Sequence, residues 1–309
     1  MSTLIEVEHL SRYFGKLIAV DNINFTVKKG EVLGFLGING AGKTTTMQML
    51  SGCLAPSLGS IKINGFDILR EPLLAKRSIG YLPDTPPLYK DLSVREFLFY
   101  CGQLHAIPKS DINLALDKVL IRCGLTSVTN RLIAHLSKGF QQRIGIAQAI
   151  IHNPDVIILD EPTVGLDPLQ IIEIRELIRE LRQDHAVILS THILSEVHET
   201  CTHLQIINQG KLIAKERVDS ITQSINESSL IIKTAFPIDA ESILSIKGVR
   251  NLEVLSNNQF KINFKLTQDP TQQISETIIN KGWGLIEMSP SKQNIETLFM
   301  ALTKANNNS

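Results

Sequence analysis

Residues 31–50 read EVLGFLGINGAGKTTTMQML, and the fold turns on the eight residues after Leu36. Residues 31–36 are apolar enough for a buried strand, and the stretch after Lys43 has the composition of a helix. Between them, Gly37 to Thr44 fits G-x-x-x-x-G-K-[ST]. Each residue type in that pattern answers a physical need. Glycines let backbone N–H groups curl around an anion with no Cβ in the way. The helix beyond them aims its positive end at the same point. Lys43 brings a point charge to outer phosphates, and the Thr44 hydroxyl suits Mg²⁺. The predicted phosphate cradle is Gly37, Asn39, Gly40, Ala41, Gly42, Lys43, Thr44 and Thr45.

A second stretch, VIILDEPTVGLDP at residues 156–168, sets two acids behind four aliphatic residues. A buried unpaired carboxylate is costly and adjacent ones repel, so a cation belongs at the end of that strand. The loop at 37–44 supplies the reason. In P-loop NTPases a carboxylate closing a buried strand holds the Mg²⁺ of the nucleotide. Asp160 fits that position, and Glu161, one residue on, is placed to act on attacking water. A strand apolar on both faces suits the centre of a parallel sheet covered by helices. Residues 187–189 read as a second such strand, ending in Ser190-Thr191-His192.

Composition narrows the class further. At 309 residues, one large domain with a smaller companion is expected. Basic and acidic residues number 31 each, and residues 221–309 hold 8 of each, so no basic body points to nucleic acid. The start, MSTLIEVEHL, lacks a signal-peptide core, and the longest apolar runs are strand-sized. Cys53, Cys101, Cys123 and Cys201 show no CxxC spacing and read as idle thiols. His192, His198 and His203 fall at intervals that do not share a helical face, which argues against a metal cluster.

The stretch LSKGFQQR at 136–143 lies ahead of the acid pair. Ser137 offers a hydroxyl and Gly139 a backbone N–H at the start of a helix running to about residue 152, a second anion-binding helix end. With GINGAGKTT, VIILDEP, GLDP at 165–168 and STH at 190–192 in order, residues 4 to about 216 resemble the ATP-binding subunits of ABC transporters. The resemblance implies ATP and Mg²⁺ as cofactors, and ATP hydrolysis as the reaction. It implies a head-to-tail dimer in which Ser137 and Gly139 of one copy act on the nucleotide of the other. It also implies that His192 contacts the γ-phosphate and attacking water, that Asp167 joins the nucleotide set, and that Phe14 stacks on adenine. Tyr13, beside Phe14, has the same π-face. Lys138 and Phe140 replace residues usual in the family.

Asp84 stands where most family members carry Gln, at a position that touches Mg²⁺ and water; some exporter subunits that the chain resembles, including the gliding-motility type, have an acid there, and the resemblance is to the exporter branch of gliding-motility and multidrug type. Thr44, Asp160 and Asp84 are thus the expected metal ligands, and Glu161, His192 and Lys43 the expected catalytic residues. Ser93 with Glu96 three residues later forms a capping-box signature for a helix through about residue 105, and a second helix is expected at 111–123. These belong to a helical subdomain at about 85–152, where the family receives a membrane subunit. The apolar run Phe97–Tyr100 reads either as subdomain core or as a partner groove.

After a linker at 218–228, the strands and helices expected at 229–234, 239–245, 249–254, 259–264, 270–281 and 284–288 form βαββαβ, the ferredoxin-like arrangement. An amphipathic helix at 295–303 and a frayed end at 305–309 complete the small C-terminal α+β domain, 229–309; Trp283 reads as packing. The expected architecture is therefore an α/β P-loop ATPase domain at 1–217, with a mixed sheet and helical subdomain, plus that small domain. The function read from it is an ATP-hydrolysing subunit, at the inner face of the cell membrane, that powers export through a separate integral membrane permease. A soluble ABC-type ATPase acting on nucleic acid or ribosomes is the alternative. A nucleotide-gated binding module with little turnover is a third reading, opposed by the intact Glu161 and His192.

Overall fold

The computed structural model describes residues 2–219, 227–265 and 269–291. The chain divides into two compact units, Met1–Val218 and Asp219–Ser309. Most of the expected linker, the helix at 295–303 and the end at 305–309 lie outside the described residues.

In the first unit, an antiparallel sheet is ordered β2 (Leu17–Lys28), β1 (Thr3–Phe14), β4 (Leu58–Ile63) and β5 (Phe66–Asp67). A six-stranded sheet runs β10 (Lys211–Arg217), β9 (His203–Asn208), β3 (Val32–Leu36), β8 (Ala186–Thr191), β7 (Val156–Asp160) and β6 (Ile79–Leu82). Its strands pair in parallel except β9 with β10. Every residue of β3, β7 and β8 is buried, which is why these strands read as unbroken apolar runs rather than as alternation.

Helix α1 (Lys43–Leu50) starts directly after the glycine loop. Its Met47, Met49 and Leu50 are fully buried in one core with Ile5, Val7 and Phe25 of the antiparallel sheet and Phe35, Ile158 and Ile188 of the larger one. The glycine loop is thus anchored at both ends by core. The next helix is α2 (Pro72–Arg77). Three more helices, α3 (Val94–Leu104), α4 (Ile112–Arg122) and α5 (Lys138–Ile150), come after β6. Ser93 accepts from the Glu96 N–H while Glu96 accepts from the Ser93 N–H at 2.8 Å, completing the capping box. The run at 97–100 splits: Phe97 and Leu98 are core, whereas Tyr100 is 38% exposed and packs beside the exposed Tyr89 with ring centroids 5.6 Å apart. Helix α5 stops at Ile150, two residues short of the expected end. Helices α6 (Pro168–Leu181) and α7 (Leu194–Thr200) complete the unit.

The second unit has strands β11 (Glu227–Thr234), β12 (Val249–Ser256), β13 (Gln259–Lys265) and β14 (Leu285–Ser291), with helices α8 (Ala240–Leu244) and α9 (Thr271–Asn280). The strand order β12-β13-β11-β14, antiparallel throughout, is that of a βαββαβ ferredoxin-like sheet. Its core gathers Leu230, Ile232, Phe260, Ile262, Ile274 and Ile278, with Trp283 packed among them. Among the described residues no helix is long and apolar enough to cross a membrane.

Candidate functional site

Loop 37–42 turns between β3 and α1 because its glycines accept backbone angles other residues resist. Gly42 has φ 107°, and a Cβ there would meet the Ala19 carbonyl oxygen at 2.5 Å. Lys43 is 5% exposed; its Nζ donates to the Gly37 and Ile38 carbonyls at 2.8 and 3.2 Å and lies 3.3 Å from Glu161 Oε1. The lysine is therefore held by its own loop and by the second acid of the 160–161 pair. Lys43 thus answers the charge of Glu161, while Asp160 gains no ion pair from it.

Asp160 is fully buried at the end of β7, paired in register with Ser190 of β8. The Ser190 hydroxyl donates to Oδ1, and Oδ2 has no hydrogen-bond donor in optimal geometry. Burial pushes this carboxyl above its ordinary pKa. The Ser190 and Thr44 hydroxyls pull it back, and the charges of Asp84 and Glu161 raise it again. An acid so placed has an oxygen to spare and neighbours of its own sign, which suits a divalent cation. Asp84 turns Oδ1 toward the Thr85 N–H at 2.7 Å, yet its charge is felt at both Asp160 and Tyr81. The Tyr81 hydroxyl is driven well above its usual pKa, by burial first and then by Asp160, Cys53 and Asp84. Asp160, Asp84 and Glu161 thus form an acidic cluster behind the loop, with Lys43 beside Glu161.

Glu161 adopts φ 48°, a left-handed backbone rare for a residue with a side chain. Its N–H donates to the Ser190 carbonyl and hydroxyl at 3.2 and 3.1 Å, which holds it there. Its Oε2 meets His192 Nδ1 at 2.9 Å. The carboxylate therefore joins Lys43 to His192.

A cavity of about 770 Å³ lies in front of the loop, lined by Phe14, Asn39, Gly40, Gly42, Lys43, Thr44, Thr45, Asp84 and Glu161 among others. Phe14, and not Tyr13, forms its wall; the Arg12 guanidinium sits 4.5 Å from the Phe14 ring centroid on one face. Lys90, Lys138 and Gln142 also line it; Lys138 and Gln142 come from the LSKGFQQR stretch, whereas Lys90 lies outside every motif singled out in the sequence. Ser137, Gly139 and Asp167 do not line this cavity. Ser137 caps α5 through the Phe140 N–H and Asp167 caps α6 through the Gln170 N–H at 3.0 Å. Gly139 is buried, and the Gln170 carboxamide lies where its Cβ would be. Sequence reading also passed over Glu196, a buried acid four residues after His192 that accepts from Thr163 and Thr191. The buried thiols of Cys101 and Cys123 are pushed up to about 12 by desolvation, which disfavours the reactive thiolate.

A neutral isostere at position 160 removes the cost of burying that charge. Asp160→Asn is expected to melt higher than wild type near neutral pH without nucleotide. It should also lose the stabilisation that Mg²⁺ with ATP gives wild type. Thermal melting with and without Mg-ATP decides this; a lower melting temperature in the nucleotide-free protein would show that the ionised acid is well compensated.

Residues 20–164 match the family described as ABC transporter. Over 305 residues, and 98% of each chain, the sequence is 33% identical to the bacitracin transport ATP-binding protein BcrA of Bacillus licheniformis. The chain belongs to the ATP-binding subunits of ABC transporters. It is also 29% identical over 305 residues to the linearmycin resistance ATP-binding protein LnrL of Bacillus subtilis (strain 168), covering 97% of this chain and 98% of that one. A solved ATP-binding subunit of an ABC transporter, 33% identical, superposes with a TM-score of 0.65 over 72% of this chain and 93% of its own. The first unit therefore has the P-loop ABC ATPase fold, and the protein is an ATPase whose hydrolysis is coupled to transport. A role on nucleic acid or ribosomes is not favoured.

Proposed function

We propose that this ABC ATPase powers export, by a separate membrane permease, of antibiotic-like compounds of the kind handled by BcrA and LnrL. The observation that carries the reading is likeness along the whole chain: the match to BcrA extends through the second unit and not only through the ATPase core. Such a subunit works at the cytoplasmic face of the cell membrane, docked to its permease, and as a head-to-tail pair. Ser137 and Gly139 then serve the nucleotide of the other copy. Their position outside the cavity that Lys43 lines accords with this.

Within one copy, Gly37, Asn39, Gly40, Ala41, Gly42 and Thr45 cradle phosphate through the loop and helix start, and Lys43 holds its outer charge. Phe14 stacks on adenine with its free face. Asp160 and Thr44 hold Mg²⁺, with Asp84 reaching it through water; the unsatisfied oxygen of buried Asp160 fits that ion. When bound, Mg²⁺ neutralises charge on the phosphates. Glu161 polarises the attacking water, His192 orients water and γ-phosphate, and Asp167 sets the start of α6 near the partner's nucleotide. Catalysis is then positioning and electrostatics.

Asp84 has a test of its own. An ionised Asp only accepts hydrogen bonds, whereas Gln also donates, and Asp adds charge to an acidic cluster. Asp84→Gln is expected to retain hydrolysis and relax its Mg²⁺ requirement. A Mg²⁺ titration of the ATPase rate compares the two; superimposable curves would leave Asp84 only its bond to Thr85.

The export reading is tested by expressing the chain with its cognate permease in a bacterium sensitive to bacitracin and linearmycin. Protection against either that disappears with Glu161→Gln is the expected result. Unchanged sensitivity to both compounds would overturn the cargo class and leave the ATPase intact.

A further inference from the structure

We propose that Glu196 is a positioning residue for hydrolysis, its buried carboxylate locking the loop behind Glu161 and the strand end carrying His192 into one register. The inference rests on the roles given to Glu161 and His192 above. Glu196 lies in the first turn of α7 and is 3% exposed. One of its oxygens accepts the Thr163 hydroxyl and the other accepts the Thr191 hydroxyl at 2.7 Å. The Thr191 oxygen also accepts the Ile193 N–H at 3.0 Å, so its one proton is committed to the carboxylate.

The two hydroxyls come from the two segments that matter. Thr191 ends β8 immediately before His192, and Thr163 stands two residues beyond Glu161. Those segments meet at the front of the site through the 2.9 Å contact of His192 Nδ1 with Glu161 Oε2. They meet at the back through Glu196. Between front and back sits the left-handed backbone of Glu161, a conformation that persists only where its surroundings fix it.

Stability alone gives no reason for an acid here. Among the described residues Glu196 forms no ion pair, and an apolar side chain would fill the same space without the cost of desolvating a carboxylate. What a carboxylate offers instead is two acceptor oxygens in a fixed plane, able to hold two donors from separate segments at once. A shift of an ångström in either segment would open the Glu161–His192 contact and misplace whatever that pair orients.

Thr163→Val and Thr191→Val each remove one hydroxyl at nearly constant shape, and Thr→Ser at either position restores it. Thr163, Thr191 and Glu196 do not line the nucleotide cavity, so ATP binding has no direct reason to change. Both Val variants are expected to lose about tenfold or more in kcat, with KM for ATP unaltered. The Ser variants should recover the rate. Glu196→Gln keeps the volume and one acceptor, and should fall between. A wild-type kcat in the Val variants, a loss confined to KM, or Ser variants as slow as Val would each overturn the proposal. His192→Ala separates this from the reading beneath it. A normal rate in His192→Ala would remove the role of His192 itself, whereas a crippled His192→Ala beside a normal Thr191→Val would remove only that of Glu196.

Discussion

Glu161→Gln is expected to bind ATP as wild type does, to hydrolyse it about a hundredfold or more slowly, and to accumulate as an ATP-bound dimer. The reason lies in what the side chain touches. Its two oxygens face different partners, Lys43 Nζ at 3.3 Å and His192 Nδ1 at 2.9 Å, so both edges are committed before nucleotide arrives. A carboxamide keeps the length and one acceptor, and so preserves the wall of the cavity, but it cannot take a proton from water. General-base assistance of that kind is worth on the order of a hundredfold to ten-thousandfold. Asp160 cannot substitute, because it is fully buried behind and tied to Ser190. Binding without turnover then leaves the ATP-bound pair with no exit. Gel filtration of the variant with Mg-ATP, at high protein concentration, reads the dimer directly. A monomer that goes on hydrolysing ATP would reverse the roles of Glu161 and Asp160.

Much of this site was legible in the chain because its chemistry is local in sequence. Gly37 to Thr44 is contiguous, and a loop between a buried strand and a helix has few other forms to take. Asp160 and Glu161 were legible for a related reason: four aliphatic residues before them left no doubt that the first acid would be buried. The βαββαβ order at the C-terminal end was legible as six short segments in succession, and the β12–β13 hairpin turns through Asn258 at φ 61°. Long-range contacts were not legible. Nothing near Gly139 in sequence announces that Gln170, thirty-one residues on, covers it, because that contact depends on how α5 and α6 pack. Glu196 was hidden for the same reason. Its spacing from His192 looks like any exposed acid at a helix start, and only the fold brings Thr163 and Thr191 to its two oxygens. The direction of Asp84 was likewise open, since one residue of loop geometry decides whether its oxygen meets the Thr85 N–H or the solvent.

Lys43→Ala is expected to abolish measurable ATPase activity, and the geometry says where the loss falls. The ammonium is almost wholly buried, with donors engaged by the Gly37 and Ile38 carbonyls and its charge set against Glu161. Those two carbonyls belong to the loop proposed to wrap the phosphates, so the lysine is expected both to shape that cradle and to charge it. An arriving triphosphate competes for the same ammonium, and the exchange replaces neutral carbonyls with charged oxygens, which form the stronger hydrogen bonds. Alanine removes both contributions at once and leaves Glu161 without the ammonium 3.3 Å away that offsets its charge, so its carboxylate repels the phosphates. Charge stabilisation of this type is worth several kcal/mol, or about a hundredfold to a thousandfold in rate. Lys43→Arg makes the informative comparison: it keeps the charge, but the planar fork does not fit a pocket shaped by two carbonyls 2.8 and 3.2 Å from a single nitrogen. If charge alone matters, Lys43→Arg retains nucleotide binding while Lys43→Ala loses it. If the shape of the loop matters as well, both lose turnover and only the Arg variant still binds. Nucleotide binding by fluorescence alongside steady-state hydrolysis separates these cases. A Lys43→Ala protein that hydrolyses ATP close to the wild-type rate would remove the lysine from the site altogether.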